Sequence, residues 1–106
     1  MATLYIEEYA AVGASYSAVG PWWAALGAAQ EPSNGAQTIA LTGSSTQCST
    51  AFQASTQLIR VHTDAICSIA FGINPTAVTT SKRLAANQTE YFGVRPGDKI
   101  AAIVNT

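Results

Sequence analysis

The chain has 106 residues, of which 48% are hydrophobic and only 10% charged, where an ordinary soluble domain carries about 25% charge. Five Lys and Arg against six Asp and Glu leave a formal net charge of -1, which argues against nucleic acid and against a polybasic membrane contact, since both need clustered cations. A surface made largely of Ser, Thr, Ala, Gln and Asn lacks colloidal repulsion and is ordinarily covered by partners, so the composition points to an assembly protein.

In chain order, residues 3–9 alternate, with Leu4, Ile6 and Glu8 on one face and Tyr5 and Glu7 on the other, which predicts a strand. Residues 10–36 are rich in Ala, Gly and Ser and are punctuated by Gly20-Pro21, Gly27, Pro32 and Asn34-Gly35. That punctuation predicts a long loop or arm over 12–36, with room for a short helix over 21–29. Alternation returns at 37–42, a turn is expected at 43–46, and a short strand is expected around Phe52 at 49–54.

Residues 57–63 place Ile59 and Val61 opposite Leu58, Arg60 and His62, and Asp64 is expected to hold a turn by bonding the local backbone. Residues 66–71 form an almost continuous apolar run, the pattern of a central strand buried on both faces. Residues 76–86 read as an exposed connection, 89–94 as a strand, Pro96-Gly97-Asp98 as a tight turn and 99–104 as a terminal apolar strand. Short strands about ten residues apart, joined by Gly, Pro and Asx turns, predict an all-β fold. The expected architecture is a single-domain β-sandwich, jelly-roll-like, with a long Gly/Ala/Trp loop after the first strand.

Candidate chemistry is sparse. His62 and Asp64 could stand side by side on an unbroken strand, but there is no second His, no GxSxG elbow and no local acid pair. Packing of His62 at the sheet rim and a turn role for Asp64 outweigh catalysis or metal binding, so no catalytic, cofactor or metal residue is expected. Gly13, Gly20 and Gly27 lack the Lys-Ser/Thr ending of a phosphate loop. Cys48 and Cys67 are too few for a disulfide scaffold and read as buried thiols. No run of about 18 apolar residues suggests a membrane-crossing helix, and residues 1–8 lack the basic and apolar regions of a secretory signal.

The aromatic residues of the arm are the stronger candidates. Adjacent Trp22 and Trp23 would point opposite ways in an extended segment, so burying both requires cover on each side. Three uses stay open: completing the core, binding a sugar, or contacting another subunit, where tryptophan is enriched. Trp22, Trp23, Tyr16 and Pro21 are accordingly the candidate protein–protein interface.

The second half of the chain carries a further signal. Residues 59–72, Asn74-Pro75-Thr76-Ala77, residues 84–94, Gly97 and Lys99-Ile100-Ala101 resemble small virion proteins of tailed bacteriophages. The resemblance runs from about residue 38 to the C-terminus and excludes the arm. It implies a capsid decoration or cement protein, made in the host bacterial cytoplasm and placed on the capsid surface of the virion. The implied partners are the major capsid protein and the chain itself, as a homo-dimer or homo-trimer, with no nucleic acid, membrane or enzymatic reaction. A tail- or fibre-associated module binding a host glycan is the alternative.

Overall fold

The computed structural model describes residues 2–10, 12–16, 23–29 and 32–105, with the backbone alone for 12–16 and 23–29. Ten strands are assigned among these residues: β1 (Thr3–Tyr9), β2 (Val12–Tyr16), β3 (Trp23–Ala29), β4 (Gly35–Ala40), β5 (Thr46–Gln47), β6 (Leu58–Thr63), β7 (Cys67–Gly72), β8 (Lys82–Leu84), β9 (Thr89–Gly93) and β10 (Lys99–Val104). No helix occurs among the described residues, and none there is long and apolar enough to cross a membrane.

Alternation builds the core. Leu4 and Ile6 of β1, Ile39 of β4 and Ile59 and Val61 of β6 point one way, into a buried cluster with Cys67, Ile69, Leu84, Ile100 and Ala102. One antiparallel sheet has the order β4-β1-β6-β9, the other β5-β10-β7-β8, and the cluster between them makes a β-sandwich. The links β4–β5, β5–β6, β6–β7, β8–β9 and β9–β10 all pass from one sheet to the other. That weave is jelly-roll-like, with β1 beside β4 and β6 where a jelly roll places its last strand.

The strands expected at 3–9, 57–63, 89–94 and 99–104 are present within a residue or two. Other expectations need correction. The segment 12–36 is not a loop throughout, because β2 and β3 pair into a hairpin and β4 already starts at Gly35. The helix considered for 21–29 is replaced by strand from Trp23 onward, while Pro21 and Trp22 lie outside the described residues. A helix of nine residues gains little from propensity alone, whereas pairing with β2 satisfies the backbone.

No strand forms at 49–54. Phe52 is buried as an anchor, its N–H donating to the Asp98 carbonyl at 2.8 Å and its carbonyl accepting from Gly97 N–H at 2.9 Å. Gly97 supports that contact at φ 86°, as the third residue of the Arg95–Asp98 turn, directly after Pro96. The turn after β6 is held by Thr63 rather than Asp64, since the buried Thr63 hydroxyl accepts from Ala65 N–H at 3.2 Å and Asp64 is exposed.

The connection at 76–86 is exposed at most of its positions, as expected, but it contains the short strand β8 and also has a structural use. Pro75, Ala77 and Leu84 are buried, and the segment crosses the outer side of the β5-β10-β7-β8 sheet. Ala77 N–H donates to Ser45 Oγ at 2.8 Å, and Gln47 Nε2 reaches the Pro75 carbonyl at 2.9 Å. Beneath it, Ser68 and Ala101 are fully buried on the face away from the core. Ser68 Oγ donates to the Thr79 carbonyl, while Asn105 Nδ2 donates to both Ser68 Oγ and the Thr79 carbonyl. The two-sided burial expected for 66–71 is therefore real at Cys67, Ser68 and Ile69 and incomplete at Ile66, Ala70 and Phe71.

Candidate interaction site

The arm leaves the sandwich between β1 and β4, and its two strands pair only with each other. Val12 stands opposite Ala29 at the root and Tyr16 opposite Trp23 at the far end, with a register shift between Gly13 and Ala14. Thus Tyr16 and Trp23, two of the four candidate interface residues, are brought together as cross-strand partners. Pro21 and Trp22 belong to the linking segment, outside the described residues. The molecule measures 53 × 26 × 22 Å, and residues 10–30 contain no charged side chain.

The root is tied down by a polar cluster that sequence reading did not single out. Glu8 is in phase with Leu4 and Ile6 and is only 3% exposed. Its Oε1 accepts from Thr56 Oγ1 at 2.7 Å and Gln53 N–H at 3.0 Å, and its carbonyl accepts from Asn34 N–H at 2.8 Å. Gln53 Nε2 donates to the Asn34 carbonyl at 2.6 Å, and Asn34 Nδ2 donates to Thr56 Oγ1 at 3.0 Å. A side chain at Gly35 would bring its Cβ within 2.5 Å of Gln53 Nε2 and 3.2 Å of Glu8 Oε2, so it would push the Gln53 amide off the Asn34 carbonyl. The signal for this cluster was the alternation itself, which placed Glu8 on the core face.

The outer face of the β4-β1-β6-β9 sheet is uncovered over most of its width. Register places Thr38, Tyr5, His62 and Thr89 in one row, and Ala36, Glu7, Arg60 and Tyr91 in the next. Tyr5 is 43% and Tyr91 48% exposed. Arg60 Nη1 lies 3.8 Å from Glu7 Oε2, both partly exposed, a geometry worth at most about 1 kcal/mol. His62 Nδ1 is 2.8 Å from Thr89 Oγ1, and its ring centroid is 6.3 Å from that of Tyr5. Asp64 lies beyond the end of β6, where its N–H donates to the Thr3 carbonyl, and no described hydrogen bond or ion pair joins it to His62. The imidazole is thus partnered by a hydroxyl on the next strand, without the carboxylate that would orient a general base.

At the flank between β8 and β9 the sandwich opens into a groove lined by Phe71, Lys82, Phe92, Val94 and Arg95. The two Phe rings meet at 5.2 Å, and Lys82 Nζ sits 6.0 Å from the Phe92 ring centroid. Arg95 pairs with Asp98 at 3.4 Å, whereas Lys82 has no ion-pair partner among the described residues. The opposite flank is closed, because Gln37 of β4 bonds the Thr50 carbonyl and N–H of the neighbouring loop.

Cys48 and Cys67 are buried, free thiols, and burial raises both above the ordinary 9.0. Such thiols stay protonated and poorly nucleophilic near neutrality. No cluster of His, Cys, Asp or Glu among the described residues could hold a metal. No family model matches the chain, and no curated protein or solved structure matches it either.

Proposed function

We propose that the chain is a structural virion protein of a tailed phage, a decoration or cement protein that binds across neighbouring major capsid subunits on the head surface. The observation that carries this reading is the uncharged two-stranded arm, held at its root by Glu8 and pairing with neither sheet. A lone two-stranded hairpin is marginally stable in water, so an arm of this kind suits docking on another chain. The bare sheet adjoining its root would lie against one subunit while the Tyr16–Trp23 end reaches the next. Repetition over a shell turns modest contacts into firm retention through avidity. Low charge suits a surface spent in contact with other chains.

The test is to purify virions of a phage encoding this chain and count its copies by quantitative mass spectrometry. Copies in the hundreds per particle are expected, with release from heads when Trp22 and Trp23 are both changed to Ala. Each anchoring aromatic is expected to contribute about 2 kcal/mol or more to association. A few copies at one vertex, or at the tail together with glycan binding, would overturn the head-surface reading in favour of the adsorption role.

A further inference from the structure

The outer edge of β9 pairs with no strand among the described residues. Val94 N–H donates to the Gln57 carbonyl and Thr63 N–H to the Gln88 carbonyl, so the even-numbered residues of this segment face β6. By the antiparallel alternation, the N–H and C=O of Thr89, Tyr91 and Gly93 then point away from the sheet, along an open edge. Such an edge is a template for another strand. The edges of the other sheet are blunted by length, since β5 has 2 residues and β8 has 3.

We infer that this edge pairs with the same edge of a second copy, antiparallel and centred on Tyr91, joining two β4-β1-β6-β9 sheets into one. In that register Tyr91 faces Tyr91 of the other copy, and Thr89 faces Gly93. Thr89, Tyr91 and Gly93 each exchange N–H and C=O with the partner strand. Gly93 is exposed, and with no side chain of its own it leaves the edge unencumbered at that position.

The side chains are self-complementary in the same register. On the groove side, Glu90 of one copy stands opposite Phe92 of the other, whose ring lies beneath Lys82. Within one chain, Glu90 is bonded by Gln88 Nε2 at 3.2 Å and Lys82 has no acid partner among the described residues. Pairing therefore brings an acid of each copy to the unpaired lysine of the other, on both sides of the two-fold axis. It also covers the half-exposed Tyr91 and part of the open groove. This interface concerns contacts between copies and holds whether or not the shell-binding reading does.

Sedimentation velocity on the purified full chain, taken across concentrations up to millimolar, reads the outcome. A dimer of twice the 11.0 kDa chain mass is expected. Gly93→Pro, which removes an outward N–H, and Tyr91→Lys, which sets like charges across the axis, are each expected to weaken it about tenfold or more. Both variants should keep the near-UV circular dichroism and melting temperature of a folded chain, and if Gly93→Pro does not fold, Tyr91→Lys decides. Glu90→Lys should weaken the dimer, and adding Lys82→Glu should restore it. A single-chain mass at every concentration, or a dimer indifferent to these edge variants, overturns the proposal; failure of the charge exchange to restore pairing overturns the Tyr91-centred register.

Discussion

The two four-stranded sheets share one core and differ in what lies outside them. The β5-β10-β7-β8 sheet is roofed by its own chain: the segment after β7 crosses it, and Ser68, Ala77 and Ala101 are sealed beneath or within that roof. The β4-β1-β6-β9 sheet keeps Tyr5, Thr38, Thr89 and Tyr91 in solvent. Cover on that face is seen only at the arm root, where Tyr9, in phase with Tyr5 and Glu7, is 1% exposed among the described residues, and the arm leaves between β1 and β4. One sheet completes its burial within the chain, and the other holds surface in reserve. In a protein with so few charges, that asymmetry is the basis on which the proposal assigns partner contacts to the bare sheet.

The sharpest way to break the comparison is to cut into each side. Ile69→Ala, at 1% exposure between the sheets, should destabilise by about 2–5 kcal/mol in denaturant unfolding. Ile73→Ala, 82% exposed at the edge of the roof, should stay within about 0.5 kcal/mol. Equal effects would mean that the buried cluster is misplaced.

Glu8→Ala comes next. It leaves the Thr56 hydroxyl and Gln53 N–H without their acceptor, at an expected cost of about 1.5–3 kcal/mol, and should loosen the arm root as read by amide hydrogen exchange at Asn34. A smaller contrast compares the outer faces directly. Ser68→Ala removes a hydroxyl that bonds the roof and should cost about 0.5–1.5 kcal/mol, whereas His62→Ala on the bare sheet should cost less than about 0.5 kcal/mol.

The thiols give the smallest effect. Their ionisation is held above the ordinary 9.0 in the folded chain, so unfolded thiols lose protons first as pH rises. Their contribution to stability is whole below that value and is lost as pH climbs through the raised folded values. Replacing both with Ala should flatten the fall in stability on the alkaline side, measured as the unfolding midpoint against pH. At neutral pH, alkylation should track global unfolding.

Much of the sandwich was legible because burial on one face leaves a period of two. Leu4/Ile6 and Ile59/Val61 show it, and their strands stand where the alternation put them, while the apolar run at 99–104 is a strand as its composition predicted. The failures have a common cause. Phe52 is buried by a loop, and a single large side chain in a polar stretch looks the same whether it sits on a strand or plugs a gap between sheets. The burial of Ala77 within the 76–86 connection is not legible because a roof of small residues carries no periodicity; its cover is supplied by Ser45, Gln47, Ser68 and Asn105, scattered along the chain. The arm hid its strands because Ala, Gly and Ser have weak β preference, and only the pairing of β2 with β3 makes them strands. Of the interface candidates, composition singled out the aromatics of the arm, but the Tyr16–Trp23 pairing depends on a register that spacing alone does not specify.

The central claim, that the arm and the bare sheet face partners while the roofed sheet does not, is tested most directly by hydroxyl-radical footprinting of the protein alone and assembled on heads. Protection of Tyr5 and Trp23 on assembly, with Ile73 and Val78 labelled equally in both states, is the predicted result. Protection of Ile73 and Val78 instead, with Tyr5 and Trp23 unchanged, would place the contact on the roofed side and contradict the account.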